Sequence, residues 1–265
     1  FVLLLAPIVS TLLFVPQLAG AAVINVPNDH ATIQAALDVA GAGDTVEVET
    51  GVYNERLTFS SGGSVGNPLI MQAAAGHSPV IDGSGIAVGG LTGLVYIEDQ
   101  PYIHVIGFEI RNYSASSSSD FPAGIWVRGE SNNVELRDNV VHHIENNGCG
   151  NCGAHGIAVY GTSGASSIHD LVIDGNTVRD CVLGWSEAMV LNGNVEDFVV
   201  SNNTVHDNNN IGIDMIGFEG ECVGCPDALD RARDGLVVGN LVYNIDSQGN
   251  PAYGSDRSAD GIYVD

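Results

Sequence analysis

The chain has 265 residues, 32 of them acidic and 8 basic, for a formal net charge of −24. All eight bases are Arg, and there is no Lys. This balance argues against nucleic acid as a partner, and it disfavours an anionic substrate unless a divalent cation bridges the two.

The chain opens with FVLLLAPIVSTLLFVPQLAG, which is apolar, uncharged and broken by two prolines. The A-x-A cleavage pattern Ala19-Gly20-Ala21 closes it. Residues 1–21 are expected to be a truncated signal peptide, since a basic flank and an initiator Met are missing. A membrane anchor fits an interrupted run of this length less well. Residues 22–265 are then an exported domain, secreted or at the cell surface, with no membrane contact after signal removal. The last residues, GIYVD, stop within a strand pattern, so the domain is expected to continue beyond them.

In the next segment, ATIQAALDVAGAGDTVEVETGVYNERLTF (31–59), Ile33, Ala36, Leu37 and Ala40 form the apolar face of a short helix. A GDTV strand and a G-x-Y-x-E turn follow. From there on one motif recurs: IHVIGFEIRNY from Ile103, VELRDNVVHHI from Val134, LVIDGNTVRDC from Leu171, FVVSNNTVHDN from Phe198 and LVVGNLVYNI from Leu236. A second runs between its copies: AGIWV from Ala123, HGIAV from His155, EAMVL from Glu187, IGIDM from Ile211 and DGIYV from Asp260. Short alternating strands split by Gly, Asn or Asp, in units that cannot bury their own faces, predict an all-β solenoid. Asn139, Asn176, Asn203 and Asn240 hold one place in successive units. They are expected to take the left-handed bend and to stack as an amide ladder.

With these motifs, and with the helix, GDTV strand and G-x-Y-x-E turn before them, the chain from about Val23 onward resembles a right-handed parallel β-helix of the pectate-lyase-like superfamily. The resemblance implies a solenoid with a short N-terminal capping helix and a polysaccharide cleft along one sheet. In a calcium-dependent pectate lyase class the metal strand reads Asp-Asp-Gly-x-Asp; here Asn210–Asp214 reads NIGID, so Asp214 alone matches an acid. Those enzymes use a Lys base, which this chain lacks, and other pectate lyases use an Arg. In this chain the base candidates are Arg257, Arg231 and Arg233. The paired Asp-Asp of polygalacturonases and the Asp-Pro-His of mannuronan epimerases are absent from the sequence.

In x-G-I-x-V the two apolar residues face inward, which turns Trp126, Ala158, Val190, Asp214 and Tyr263 outward. His155, Glu187 and Asp260 lie one pleat before them; Arg128, Tyr160, Asn192 and Asp265 lie one pleat after. This reading makes Asp214 solvent-facing. Stacked carboxylates repel unless a cation or a substrate lies between them. Glu187, Asp214 and Asp260 are therefore the candidate calcium ligands, and Trp126, His155, Tyr160, Asn192 and Tyr263 the candidate sugar-binding residues. The function expected is that of a secreted monomeric polysaccharide lyase on a uronic-acid polymer, with Glu187, Asp214 and Arg257 catalytic. A glycoside hydrolase using Glu187 and Asp214, or a glycan-binding module without activity, remains open. Cys149 and Cys152 in CGNC, and Cys222 and Cys225 in CVGC, are expected to form local disulfides in an exported protein, with a shared zinc site as the alternative. Cys181 reads as a core residue.

Overall fold

The computed structural model of the chain describes residues 20–265, so residues 1–19 of the expected signal peptide lie outside the described residues. The short helix Ile33–Leu37 covers one end of the solenoid and buries Ile33, Ala36 and Leu37. Thr32 caps it by accepting from the Ala35 amide at 3.2 Å. The Glu55 carboxylate, from the G-x-Y-x-E turn, accepts from the Ile33 and Gln34 amides at 3.0 Å each. Those are the orphan donors of a first helical turn.

Behind the helix every coil supplies one strand to each of three parallel sheets, giving the right-handed parallel β-helix expected. The coil from Glu135 is representative: Glu135–Arg137 lies in the first sheet, Val140–Asn146 in the second and His155–Gly161 in the third. The third sheet carries the site. Along the solenoid its strands are Leu57–Thr58, Leu91–Glu98, Phe121–Gly129, His155–Gly161, Met189–Glu196, Ile213–Met215 and Ile262–Val264. In-register pairing aligns Trp126 with Ala158, Ala158 with Val190, Val190 with Asp214, and Asp214 with Tyr263.

The asparagine ladder forms at the corner between the first and second sheets. Asn139 donates its side-chain amide to Asn176 at 3.0 Å, Asn176 to Asn203 at 3.0 Å, and Asn203 to Asn240 at 2.9 Å. Each amide also donates to a backbone carbonyl of the coil before it, for example Asn176 to Leu136 at 2.8 Å. The bend itself is taken one residue earlier than expected. Asp138, Gly175, Asn202 and Gly239 have positive φ, and the ladder residues do not. The division is physical. A short or absent side chain tolerates the left-handed corner, which leaves the next amide free to point inward.

Sheet to sheet, glycines at Gly124 and Gly156 permit a close approach. A Cβ on Gly156 would lie 2.3 Å from Val178 Cγ1 and 2.7 Å from the Ala188 carbonyl. The inward residues of the repeats, among them Ile125, Val127, Ile157, Val159, Met189, Leu191 and Ile213, form one continuous core. A second, separate cluster of Ala123, Trp126, Ala158, Val190 and Ile216 lies on the outer face of the third sheet. Among the described residues no helix is long and apolar enough to cross a membrane.

Candidate active site

The outer face of the third sheet is not a solvated strip. The alternation places Trp126, Ala158, Val190 and Asp214 outward as expected, but all four are buried, and Asp214 is only 3% exposed. The expectation of a solvent-facing Asp214 is therefore corrected. The reason is the insertion at 217–230, which folds back over the face. Its Glu219 carboxylate accepts from Asn192 Nδ2 at 3.0 Å. Its base is tied by the buried Asp230, whose carboxylate accepts from the Gly220 amide at 2.7 Å and the Cys222 amide at 2.8 Å. Cys222 and Cys225 are joined by a disulfide within this loop, and Cys149 and Cys152 within the loop before His155.

Beneath the loop, aromatic and acidic groups converge. Trp126 packs edge-on against His155 at 5.7 Å and against Tyr160 at 5.1 Å between ring centroids. His155 Nδ1 lies 3.1 Å from the Glu187 carbonyl oxygen, which can only accept, so Nδ1 carries the proton. Nε2 is then the acceptor for the Tyr160 hydroxyl, also at 3.1 Å. Burial pushes the His155 imidazole down to about 4, which keeps it neutral, and the Glu187 carbonyl acts weakly against that. Burial also holds the Tyr160 phenol well above its ordinary value, with the Glu187 charge adding to the effect. Tyr160 is thus a proton donor, and His155 fixes its direction.

Two carboxyls complete the cluster. Glu187 is pushed up to about 8, first by burial and then by the charge of Asp214. Asp214 is pushed up to about 7 by burial, and by the charges of Asp265 and Glu219. The Asp214 charge acts on Glu187, so the two titrate as a pair rather than one by one. Both carboxyls are thus raised towards neutral pH, where burial and like charge favour one proton kept between them. Four buried polar atoms on this face have no protein partner: Trp126 Nε1, Arg128 Nε, Asn192 Oδ1 and Asp214 Oδ1. Each such atom costs about 1–3 kcal/mol unless a ligand group or solvent meets it. Their gathering on one face marks a place that receives polar groups.

Other expected residues are elsewhere. Asp260 is exposed, Tyr263 is 40% exposed at the edge of the row, and Arg257 is exposed and pairs with Asp246 at 3.5 Å. Arg231 stacks over Phe218 and Arg233 pairs with Glu196 at 2.7 Å, so none of the three arginines meets the carboxyl pair. The base role expected of Arg257 is not met by this geometry, because its loop carries it to the exposed side. Among the described residues, no group of three or more His, Cys, Asp or Glu side chains is arranged to hold a metal ion. The calcium triad of Glu187, Asp214 and Asp260 is not assembled: two members are buried and inclined to keep a proton, and the third is out in solvent. These donors do not fit calcium. Glu221 was not singled out from the sequence. Its carboxyl is half-buried near Arg128 and sits above its ordinary value, chiefly through desolvation. The acidic run of the insertion was the one available signal for it.

In fold, the chain is similar to the crystal structure of pectate lyase Pel9A, with a TM-score of 0.52 at 14% identity, covering 93% of this chain and 68% of that one. A rhamnogalacturonan lyase is aligned with a TM-score of 0.46 and 15% identity, over 84% of this chain and 62% of that one. In sequence it is 42% identical over 236 residues to the protein named "Uncharacterized protein YwoF" from Bacillus subtilis (strain 168). That alignment takes in 88% of this chain and 48% of the relative, so the chain spans about half the relative's length. Residues 59–224, the heart of the repeat and most of the covering loop, match the family model described as "Protein of unknown function (DUF1565)". The chain belongs to that family, built here as a parallel β-helix.

Proposed function

We propose that the chain is an extracellular carbohydrate-active enzyme that cleaves a polysaccharide by acid–base catalysis, with Glu187 and Asp214 as the pair. One observation carries this reading: two buried, coupled carboxyls, Glu187 and Asp214, are raised to about 8 and about 7, into the range where acid–base catalysis near neutral pH is most effective. In hydrolysis, ionised Asp214 takes a proton from water as it attacks the anomeric carbon. Protonated Glu187 gives its proton to the departing glycosidic oxygen. The Tyr160 hydroxyl, whose proton is held by neutral His155, offers its oxygen as an acceptor for a sugar hydroxyl. Both disulfides accord with an exported protein. The −24 charge and the acids around the pair favour a weakly charged glycan and a monomer free of nucleic acid.

Elimination on a uronic-acid polymer is a second reading, favoured by Arg128. Its buried Nε has no protein partner, and it stands one pleat from the Trp126–Asp214 row. Arg128 would receive the sugar carboxylate and Asp214 would remove the C5 proton. The C4–O bond would break as the C4–C5 double bond forms, with Glu187 protonating the leaving oxygen.

The experiment is digestion of neutral and uronic-acid polysaccharides, reading new reducing ends beside the ultraviolet absorbance of unsaturated products. Reducing ends alone mark hydrolysis, and both signals together mark elimination. Glu187→Gln and Asp214→Asn should each lower the rate by about a hundredfold or more. Full rates in both variants would overturn the assignment of the pair. Glycan binding with no cleavage in the wild type would leave a binding module in its place.

A further inference from the structure

We infer that Trp185 and Tyr253 form a sugar-stacking subsite beside the carboxyl pair, shaped for the apolar C–H face of an uncharged pyranose ring. Its position along the glycan rests on the acid–base reading above; its ability to bind does not.

The chain has two tryptophans. Trp126 is buried under the covering loop, whereas Trp185, two residues before Glu187, is 48% exposed. Its indole is nonetheless held in place. The Trp185 amide donates to the Cys152 carbonyl at 3.0 Å, and its ring nitrogen donates to the Gly150 carbonyl, in the loop closed by the Cys149–Cys152 disulfide. The Tyr253 ring lies against it with centroids 4.7 Å apart and planes inclined by 58°.

The second ring is fixed from below. Asn250 is buried and donates to the Gly184 carbonyl at 2.8 Å and the Asn209 carbonyl at 2.9 Å, while accepting from the Ala252 amide at 3.0 Å. Asn210, also buried, donates to the Ser186 carbonyl at 2.9 Å and reaches the Tyr253 hydroxyl at 3.4 Å. Its Oδ1 has no protein partner. Four loops at the same end of the third sheet thus converge to hold two rings, one of them half open to solvent. Fixing an exposed indole adds little to stability, but it removes the ordering cost of a ligand that stacks on it.

The charges choose the ligand. The only base on this set of loops, Arg257, is exposed and paired with Asp246. Asp256 and Asp260, three and seven residues after Tyr253, are exposed carboxyls on the same stretch of chain. An uncharged pyranose meets apolar ring and acceptors for its hydroxyls; a uronate meets repulsion.

The test is calorimetric titration of the Glu187→Gln protein, which retains the platform but not the proposed acid, with cellohexaose, xylohexaose, mannohexaose and hexagalacturonate. At least one neutral hexaose should bind, and more tightly than hexagalacturonate. Adding Trp185→Ala should weaken that binding by about tenfold or more, which corresponds to about 1.4 kcal/mol. Trp185→Phe should restore most of it, which separates ring stacking from damage to the loop. Failure of every neutral hexaose to bind, or equal affinity with and without the Trp185 ring, would overturn the subsite. If the wild type cleaves no glycan while Trp185-dependent binding persists, the acid–base reading falls and the subsite stands.

Discussion

Replacing Glu187 by Gln removes a buried ionisable group while keeping its volume. The Glu187 carboxyl is raised from 4.5 to about 8, by burial first and by Asp214 second. Between those values the folded chain keeps a proton that the unfolded chain has released. Stability must therefore fall as pH rises through this window, by about 1.4 kcal/mol per pH unit for one group. Over the whole interval the cost approaches about 5 kcal/mol at pH 8. Gln cannot ionise, so the variant should match the wild type near pH 4.5, where the group is neutral when folded, and exceed it progressively above. For a chain of this size each kcal/mol moves Tm by about 2–4 °C. Glu187→Gln should then melt about 10 °C or more above the wild type at pH 8, with the gap closing towards pH 4.5. His155, pushed down from 6.5 to about 4, is protonated only in the unfolded chain between those values and adds a slope of opposite sign there; it is present in both proteins and cancels from their difference to first order. Asp214, raised to about 7, adds a slope of the same sign to both proteins, and so cancels from their difference to first order. Scanning calorimetry across the pH range is the assay. Parallel Tm–pH curves for the two proteins would refute a buried, protonated Glu187.

Three other perturbations probe the scaffold and the site. Asn176→Leu removes the middle rung of the ladder and strands the Asn139 amide and the Leu136 carbonyl, both bonded to it at 3.0 and 2.8 Å. A loss of about 3–5 kcal/mol is expected in denaturant unfolding, and a loss below about 1 kcal/mol would mean that the ladder is not load-carrying. Gly156→Ala places a methyl 2.3 Å from Val178 Cγ1. It should cost about 1–3 kcal/mol, with Val178→Ala added in the same chain recovering part of the loss. Dialysis against a calcium chelator should leave Tm unchanged, since the described carboxyls do not gather as a metal site. A drop on chelation that calcium reverses, and that Asp214→Asn abolishes, would restore the calcium triad.

The solenoid was legible in the sequence because its cause is local and repeated. Alternation of period two fixes which residues of His155–Gly161 or Met189–Glu196 face the core, whatever surrounds them. One amide per coil at Asn139, Asn176, Asn203 and Asn240 has to meet its copy in the next coil. Even the error at the bend was a matter of one residue, since Asp138 and Gly175 satisfy the same conformational demand from the position before. The outward direction of Asp214 was legible for the same reason, but its environment was not. Direction is set by the strand; burial is set by where an irregular loop comes to rest. That loop is held by bonds between residues far apart in sequence, such as Asn192 with Glu219. The same long-range closure raised the Glu187 and Asp214 carboxyls together, and turned Arg257 away to Asp246. It also decided that Trp185, an unremarked loop residue, stands beside the pair. A carboxyl's chemistry follows from its desolvation and its charged neighbours, and both are properties of the assembled coils rather than of any stretch of chain.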